Sequence, residues 1–252
     1  MIVNERIAAY INSLEGELPE YLLSLEEQAL KDFVPIIRKD AQSLLRFLLK
    51  LKKPKRILEV GTAVGFSCSL MAEYMPSDCT ITTIERFPKR VEEAKKNLSL
   101  AKRSQDMLLL IGDAMDVLRA LNGKEEGYIS EIYSPHNNKS YFDINDVNSE
   151  QLSELKKSLR EPYDFIFMDA AKGQYMNFLP EIMELLPVDG LLITDNVLQE
   201  GSIAESKYSI IRRDRTIHVR MREYLYALTH MEEFDTVVLP VGDGMTLSTR
   251  KK

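Results

Sequence analysis

Apolar and polar positions follow one period in the first part of this chain and two interleaved periods in the rest. Up to Leu51 the apolar residues recur at helical spacing, which predicts helices over Glu5–Leu14, Ser24–Ile37 and Asp40–Leu51. Ser24 followed by Glu27 has the form of a capping box. Leu44, Leu45, Leu48 and Leu49 give the third helix an apolar face. Beyond Pro54, short apolar runs alternate with helical stretches. The runs Arg56–Val60, Thr80–Glu85, Met107–Ile111, Phe165–Met168 and Leu191–Thr194 read as strands. Thr62–Tyr74, Pro88–Leu100, Asp113–Leu121 and Tyr175–Leu186 read as helices between them. Repeated strand–helix units imply a mainly parallel sheet with helices on both faces, a doubly wound α/β domain. Ile203–Thr229 is largely helical in pattern, open to a break near Asp214. Phe234–Leu239 and Met245–Thr249 read as a last antiparallel pair, joined by the turn Gly242-Asp243-Gly244.

Residues 122–161 break this rhythm with glycines, asparagines and Pro135, and predict a surface insertion with a polar helix over Asp146–Arg160. Tyr128, Tyr133 and Tyr141 in it either cover a site or pack the insertion down, packing being the default. The whole chain, 1–252, then reads as one domain with an N-terminal helical extension over 1–52.

Composition narrows the function classes. The net charge of −6 disfavours a protein that coats DNA or RNA through bulk charge. There is no apolar run long enough for a membrane span, and Met1–Arg6 lacks the order of a secretory signal. The two cysteines, Cys68 and Cys79, form no CxxC pair, which fits a reducing, cytoplasmic setting. His136, His218 and His230 are too scattered for a zinc pattern.

The chemistry-bearing residues sit at strand ends. Gly61 and Gly65 follow the first strand and precede a helix, so a cofactor can approach the backbone there. The spacing is not the G-x-G-x-x-G fingerprint of dinucleotide sites, and Glu59 would repel a pyrophosphate, which argues against hydride transfer. A cofactor with an amino-acid end and a sulfonium charge tolerates that carboxylate better. Glu85 ends the second strand where it can accept from ribose hydroxyls. Asp113 and Ala114 follow the third, where an adenine can sit. Each acid alone also fits a helix cap. The fourth strand ends at Asp169 and the fifth at Asp195-Asn196, so three oxygen-bearing side chains can converge on one hard cation, with magnesium favoured by availability. Such an ion would acidify a substrate hydroxyl, and Lys172 could take the proton.

These strings resemble the cation-dependent O-methyltransferases, the family of catechol and caffeoyl-CoA methyltransferases. The resemblance runs from Val34 to Arg250, outside the insertion, and rests on Phe167-Met168-Asp169-Ala170-Ala171-Lys172-Gly173-Gln174-Tyr175 and Asp195-Asn196-Val197-Leu198. It implies a Rossmann-like class I methyltransferase fold, with a seven-stranded, mainly parallel sheet whose last strand is antiparallel. It implies S-adenosylmethionine held by Glu59, Gly61, Gly65, Ser67, Glu85, Asp113, Ala114 and Asp169. It further implies Mg2+ held by Asp169, Asp195 and Asn196, Lys172 as base, and a homodimer. Within the family the chain is similar to the subgroup that methylates 5-hydroxyuridine at the tRNA wobble position, through Arg215–Arg222 and Leu239–Met245. Lys207, Arg212, Arg213, Arg215, Arg220 and Arg222, opposed only by Asp214, are then candidates to hold tRNA. Two alternatives stand beside this expectation: an enzyme for small catechol-like or acyl-CoA phenols, and a non-catalytic RNA-binding protein on the same fold.

Overall fold

The fold is given by a computed structural model, which describes residues 3–142 and 150–252. Three helices open the chain: α1 (Glu5–Ser13), α2 (Glu20–Lys31) and α3 (Lys39–Lys52). The second begins at Glu20 behind Pro19, so Ser24 lies inside the helix and caps nothing. It ends at Lys31, short of the predicted Ile37. Proline suits the boundary at the start of a helix, because its missing N–H has no partner to lose there.

The central sheet begins after α3. Its strands are β1 (Arg56–Val60), β2 (Thr80–Glu85), β3 (Met107–Ile111), β4 (Glu131–Ser134), β5 (Lys139–Phe142), β6 (Phe165–Met168), β7 (Leu191–Thr194), β8 (Phe234–Leu239) and β9 (Met245–Arg250). They pair in the order β5-β4-β3-β2-β1-β6-β7-β9-β8. The five inner strands are parallel, and β9 runs antiparallel between β7 and β8. This is the Rossmann-like class I methyltransferase architecture. It holds nine strands among the described residues, where seven were expected. The two extra strands come from the insertion. Residues 131–142 form a hairpin that pairs antiparallel with β3 and extends the sheet. Buried Glu131 pins the hairpin to Lys95 at 2.8 Å. Tyr133 is buried and donates to Asn138 at 2.8 Å, so it packs the hairpin and covers no site.

The remaining helices are α4 (Phe66–Tyr74), α5 (Pro88–Leu100), α6 (Ala114–Leu121), α7 (Glu150–Leu159), α8 (Tyr175–Leu185) and α9 (Arg215–His230). The predicted helix over Asp146–Arg160 is present from Glu150; its first residues lie outside the described ones. Side chains alternate across each strand, and this sorts the core into two layers. Ile57, Phe165, Phe167 and Ile193 face α2 to α5. Leu58, Val60, Ile166, Met168 and Leu192 face α6, α8 and α9. Each fully buried aliphatic side chain is worth roughly 1.5–3 kcal/mol over an exposed one, so this apolar alternation sets the sheet register. Among the described residues no helix is long and apolar enough to cross a membrane.

Candidate active site

The parallel strands end side by side, and backbone hydrogen bonds continue past their ends. Gly112 donates to Glu85 at 3.0 Å, Gly61 to Ile84 at 3.1 Å, Asp169 to Val60 at 3.0 Å and Asp195 to Met168 at 3.0 Å. The predicted residues just beyond the strands are thereby held along one edge, where open α/β sheets place ligands.

A cavity of about 590 Å³ opens at this edge, with Gly61, Glu85, Asp113, Ala114 and Asp169 among its walls. Gly61 has φ +107° and comes so close to β6 that an added Cβ would lie 2.0 Å from the Asp169 carbonyl oxygen. Glu85 is fixed by three backbone N–H groups. Ala63 donates to one carboxylate oxygen at 2.8 Å, and Arg86 and Phe87 donate to the other at 2.9 Å. Asp113 caps α6 by accepting from the Met115 N–H at 3.0 Å, and its second oxygen meets Arg86 at 2.7 Å. Arg86, Phe87, Met115, Gln174 and Phe178 also line the cavity. Sequence reasoning missed them. Arg86, Phe87 and Met115 stand just after the strand-end acids and could have been found by that position, whereas Phe178 is brought in by the packing of α8.

The other three predicted cofactor residues are not in the walls. Glu59 is fully buried and accepts hydrogen bonds from the Ser67 and Thr83 hydroxyls. It thus ties β1 to β2 and to the first turn of α4. Gly65, at φ +85°, lets α4 approach α5, with an added Cβ 3.1 Å from Leu98. Burial pushes the Glu59 carboxyl from 4.5 up to about 7, against the two hydroxyl donors. An acid whose pKa is raised by folding contributes stability below its unfolded pKa and loses it as pH rises through the folded one. Between about pH 4.5 and 7 the wild type should therefore lose stability, on the order of a few kcal/mol, relative to Glu59→Gln. Thermal melts of both proteins across that range check this; a gap that stays constant with pH would exclude it.

At the reaction end, Asp195 is buried and Asp169 half-buried. Burial, then the charge of Asp169, pushes Asp195 up to about 8. Burial raises Asp169 as well, opposed by Asn196 and Lys172. Asn196, with φ +64°, donates its side-chain amide N–H to Asp169 at 2.8 Å. Among the described residues no group of three or more His, Cys, Asp or Glu side chains is placed to hold a metal. The three residues expected to hold the metal thus meet at this edge, as two neighbouring carboxylates with the Asn196 amide against Asp169. Two close acids that resist ionising together still suit a hard divalent cation, which would relieve their repulsion. Behind them Tyr175 donates to the Asp195 carbonyl at 3.3 Å and meets Tyr224 edge-on, fixing the end of β7.

Lys172 opens a 3-10 turn (Lys172–Gln174) after β6 and lines a second cavity of about 470 Å³. Ile210, Ile211 and Ile217 supply one wall of it, and Glu200 and Asp243 another. The predicted helix over Ile203–Thr229 is realised only from Arg215, after a 3-10 segment at Gln199–Ala204. The intervening loop supplies Ser209, Ile210, Ile211 and Asp214 to the cavity.

The basic segment is not a free phosphate-binding stripe. Arg215 donates to the Ile210 and Tyr208 carbonyls, Arg220 to Gly173 at 3.0 Å and Arg222 to Ile203 at 3.1 Å. Arg213 sits 3.5 Å from Asp214, and Lys207 lies over the Tyr208 ring. Half of the six cations therefore hold the loop of the second cavity to α9 and the β6 turn, while Arg212 is exposed.

This edge, with a donor-sized cavity on one side of the 169–174 segment and an acceptor-sized one on the other, defines a class I methyltransferase. The profile of the O-methyltransferase family matches residues 12–145 and 133–251, and the chain belongs to that family. It is 27% identical over 215 residues to a caffeoyl-CoA O-methyltransferase of Stellaria longipes, covering 83% of this chain and 74% of that one. It is 26% identical over 203 residues to a catechol O-methyltransferase of Niastella koreensis, covering 80% and 76%. A putative caffeoyl-CoA O-methyltransferase of Staphylococcus aureus superposes with a TM-score of 0.77 at 26% identity, over 98% of this chain and all of that one. An SAH-bound methyltransferase of Podospora anserina shares the fold at TM-score 0.75 and 22% identity, over 99% and 97% of the two chains. These relatives overturn the expectation of a tRNA 5-hydroxyuridine methyltransferase with tRNA as partner. The caffeoyl-CoA and catechol enzymes among them are small-molecule O-methyltransferases by name, and Arg215, Arg220 and Arg222 are engaged with the chain itself.

Proposed function

We propose that the protein transfers the methyl group of S-adenosylmethionine to a hydroxyl oxygen of a small catechol-like or acyl-CoA phenolic acceptor. The observation that carries this reading is the arrangement of the two cavities about one short segment: Asp169, Ala170, Ala171 and Gln174 wall the first, and Lys172 walls the second. In the first, Glu85 accepts from the ribose hydroxyls, Asp113 and Met115 bound the base, and Gly61 admits the amino-acid end. Two buried, unpaired cysteines support a reducing, cytoplasmic location.

Asp169 and Asp195 would hold Mg2+, which when bound supplies a Lewis acid that acidifies the acceptor hydroxyl. Asn196 holds Asp169 in place. Lys172 stands at the acceptor cavity and takes the hydroxyl proton. Ile210, Ile211 and Ile217 give the aromatic ring an apolar wall and exclude water, so approach to the methyl group is restricted to one direction. The Arg215, Arg220 and Arg222 contacts keep that wall in position.

The test is methyl transfer from labelled S-adenosylmethionine to a panel of catechols, phenolic acids and phenolic acyl-CoA esters, with and without Mg2+, and with tRNA as a control. Methylated phenol that depends on the cation is expected. A protein that binds S-adenosylmethionine and methylates none of the panel would end the assignment. Lys172→Ala is expected to lower kcat about 100-fold, the usual scale for loss of a general base, with less change in KM. Unaltered kcat across pH would remove Lys172 from the proton transfer.

A further inference from the structure

Arg38 lies far from the cofactor cavity, in the link between α2 and α3, yet its guanidinium reaches two wall residues of the acceptor cavity. One nitrogen, Nη2, lies 2.9 Å from Glu200 and 2.8 Å from Asp243, both wall residues of that cavity. The neighbouring Asp40 accepts from the Gly242 N–H at 2.9 Å, so the same link also grips the backbone of the β8–β9 turn. That turn holds the loop after β7: Leu198 donates to the Asp243 carbonyl and Val197 to Gly244, each at 2.9 Å.

The loop has a reason to need holding. Gln199, Glu200 and Gly201 have φ of +46°, +56° and +93° in succession. Two of the three carry side chains that disfavour this region. Glu200 is exposed on its outer side and has no other ion pair among the described residues. Without Arg38, Glu200 and Asp243 would face each other as like charges on one cavity wall.

We propose that Arg38 is a positioning residue for the acceptor. It acts through Glu200 and Asp243 to hold the strained 199–201 turn as the wall of the acceptor cavity. The N-terminal helical layer thereby shapes the substrate site although it contributes nothing to the cofactor cavity. The inference rests on the reading of the second cavity as the acceptor site.

The experiment compares wild type, Arg38→Ala, Arg38→Glu and the charge swap Arg38→Glu/Glu200→Arg. The swap again places one cation with two carboxylates. Two readouts are taken: amide hydrogen exchange over residues 197–204, and KM and kcat for whichever phenol the wild type methylates, with S-adenosylhomocysteine binding as the check on the rest of the fold. Expected are at least 10-fold faster exchange over 197–204 and about a 10-fold rise in acceptor KM for both single variants. Expected too are little change in kcat or in S-adenosylhomocysteine affinity, and recovery of both readouts in the swap. Unchanged exchange over 197–204, or unchanged KM in an active enzyme, overturns the proposal; so does failure of the swap to recover, or parallel loss of S-adenosylhomocysteine binding. If the wild type methylates no phenol, the functional reading fails by itself and the exchange data alone decide the role of Arg38.

Discussion

Asp195→Ala is expected to lower methyl transfer about 1,000-fold or more while leaving the protein folded. A loss of that size corresponds to about 4 kcal/mol of transition-state stabilisation, the scale associated with a catalytic cation. The fold should tolerate the change because the carboxyl is buried beside Asp169 and held up at about 8, so its charge is opposed in the free protein. Removing it ends the burial of an ionisable group but also leaves the Asn196 backbone N–H without its acceptor at 2.7 Å, so the melting temperature without cation should change little. Asp169→Ala should cost as much activity and in addition some stability, since Asn196 loses its acceptor. Initial rates at saturating S-adenosylmethionine, with melts of the same preparations, decide the matter. Normal turnover in either variant, or wild-type activity indifferent to excess chelator, would remove both acids from the reaction.

Gly61→Ala should be the most damaging single methyl addition at this edge. The new Cβ would sit 2.0 Å from the Asp169 carbonyl oxygen and 2.8 Å from its carbon, and both are backbone atoms that cannot swing aside. The φ of +107° adds conformational strain for any residue with a side chain. Relief requires β1 and β6 to part just where they carry the cofactor turn and the first acid. A loss on the order of 3 kcal/mol of stability is expected, with S-adenosylmethionine affinity lowered at least 10-fold. Isothermal titration and chemical denaturation measure the two. Gly201 has a similar positive φ but open space around it, so an alanine there should lose only the strain. Equal effects at the two positions would show that the clash at Gly61 is not the cause.

Much of the candidate site is visible along the chain because four of the five inner strands end at an acid or within two residues of one. Glu85, Asp113, Asp169 and Asp195 share one edge by that rule alone, since a parallel sheet brings consecutive strand ends together. Glu59 obeys a different rule. It stands one residue before the end of β1, and strand alternation turns it toward α4, where Ser67 and Thr83 satisfy it. Its expected place in the cofactor wall comes from a motif, and motifs carry no information on which way a side chain points.

The basic run from Lys207 to Arg222 misleads for a related reason. Charge density along a sequence counts cations without asking what they already hold. Arg220 reaches a carbonyl 47 residues away, and Arg38 a carboxylate 162 residues away. No local pattern foretells such partners. The insertion likewise reads as loop and helix, because β4 and β5 are short and become strands only when β4 pairs with the exposed edge of β3 and β5 with β4.

The strand and helix rhythm, the two apolar layers and the acids at the strand ends can all be read from the chain alone. They depend on side-chain period and on where apolar runs stop, and both are local. Long-range pairing settled the rest: two more strands in the sheet, the Asn196 amide set against Asp169, arginines that brace a cavity, and Arg38 closing its wall. Each of these depends on hydrogen bonds between residues distant in the chain, whose partners exist only once the core has brought them together.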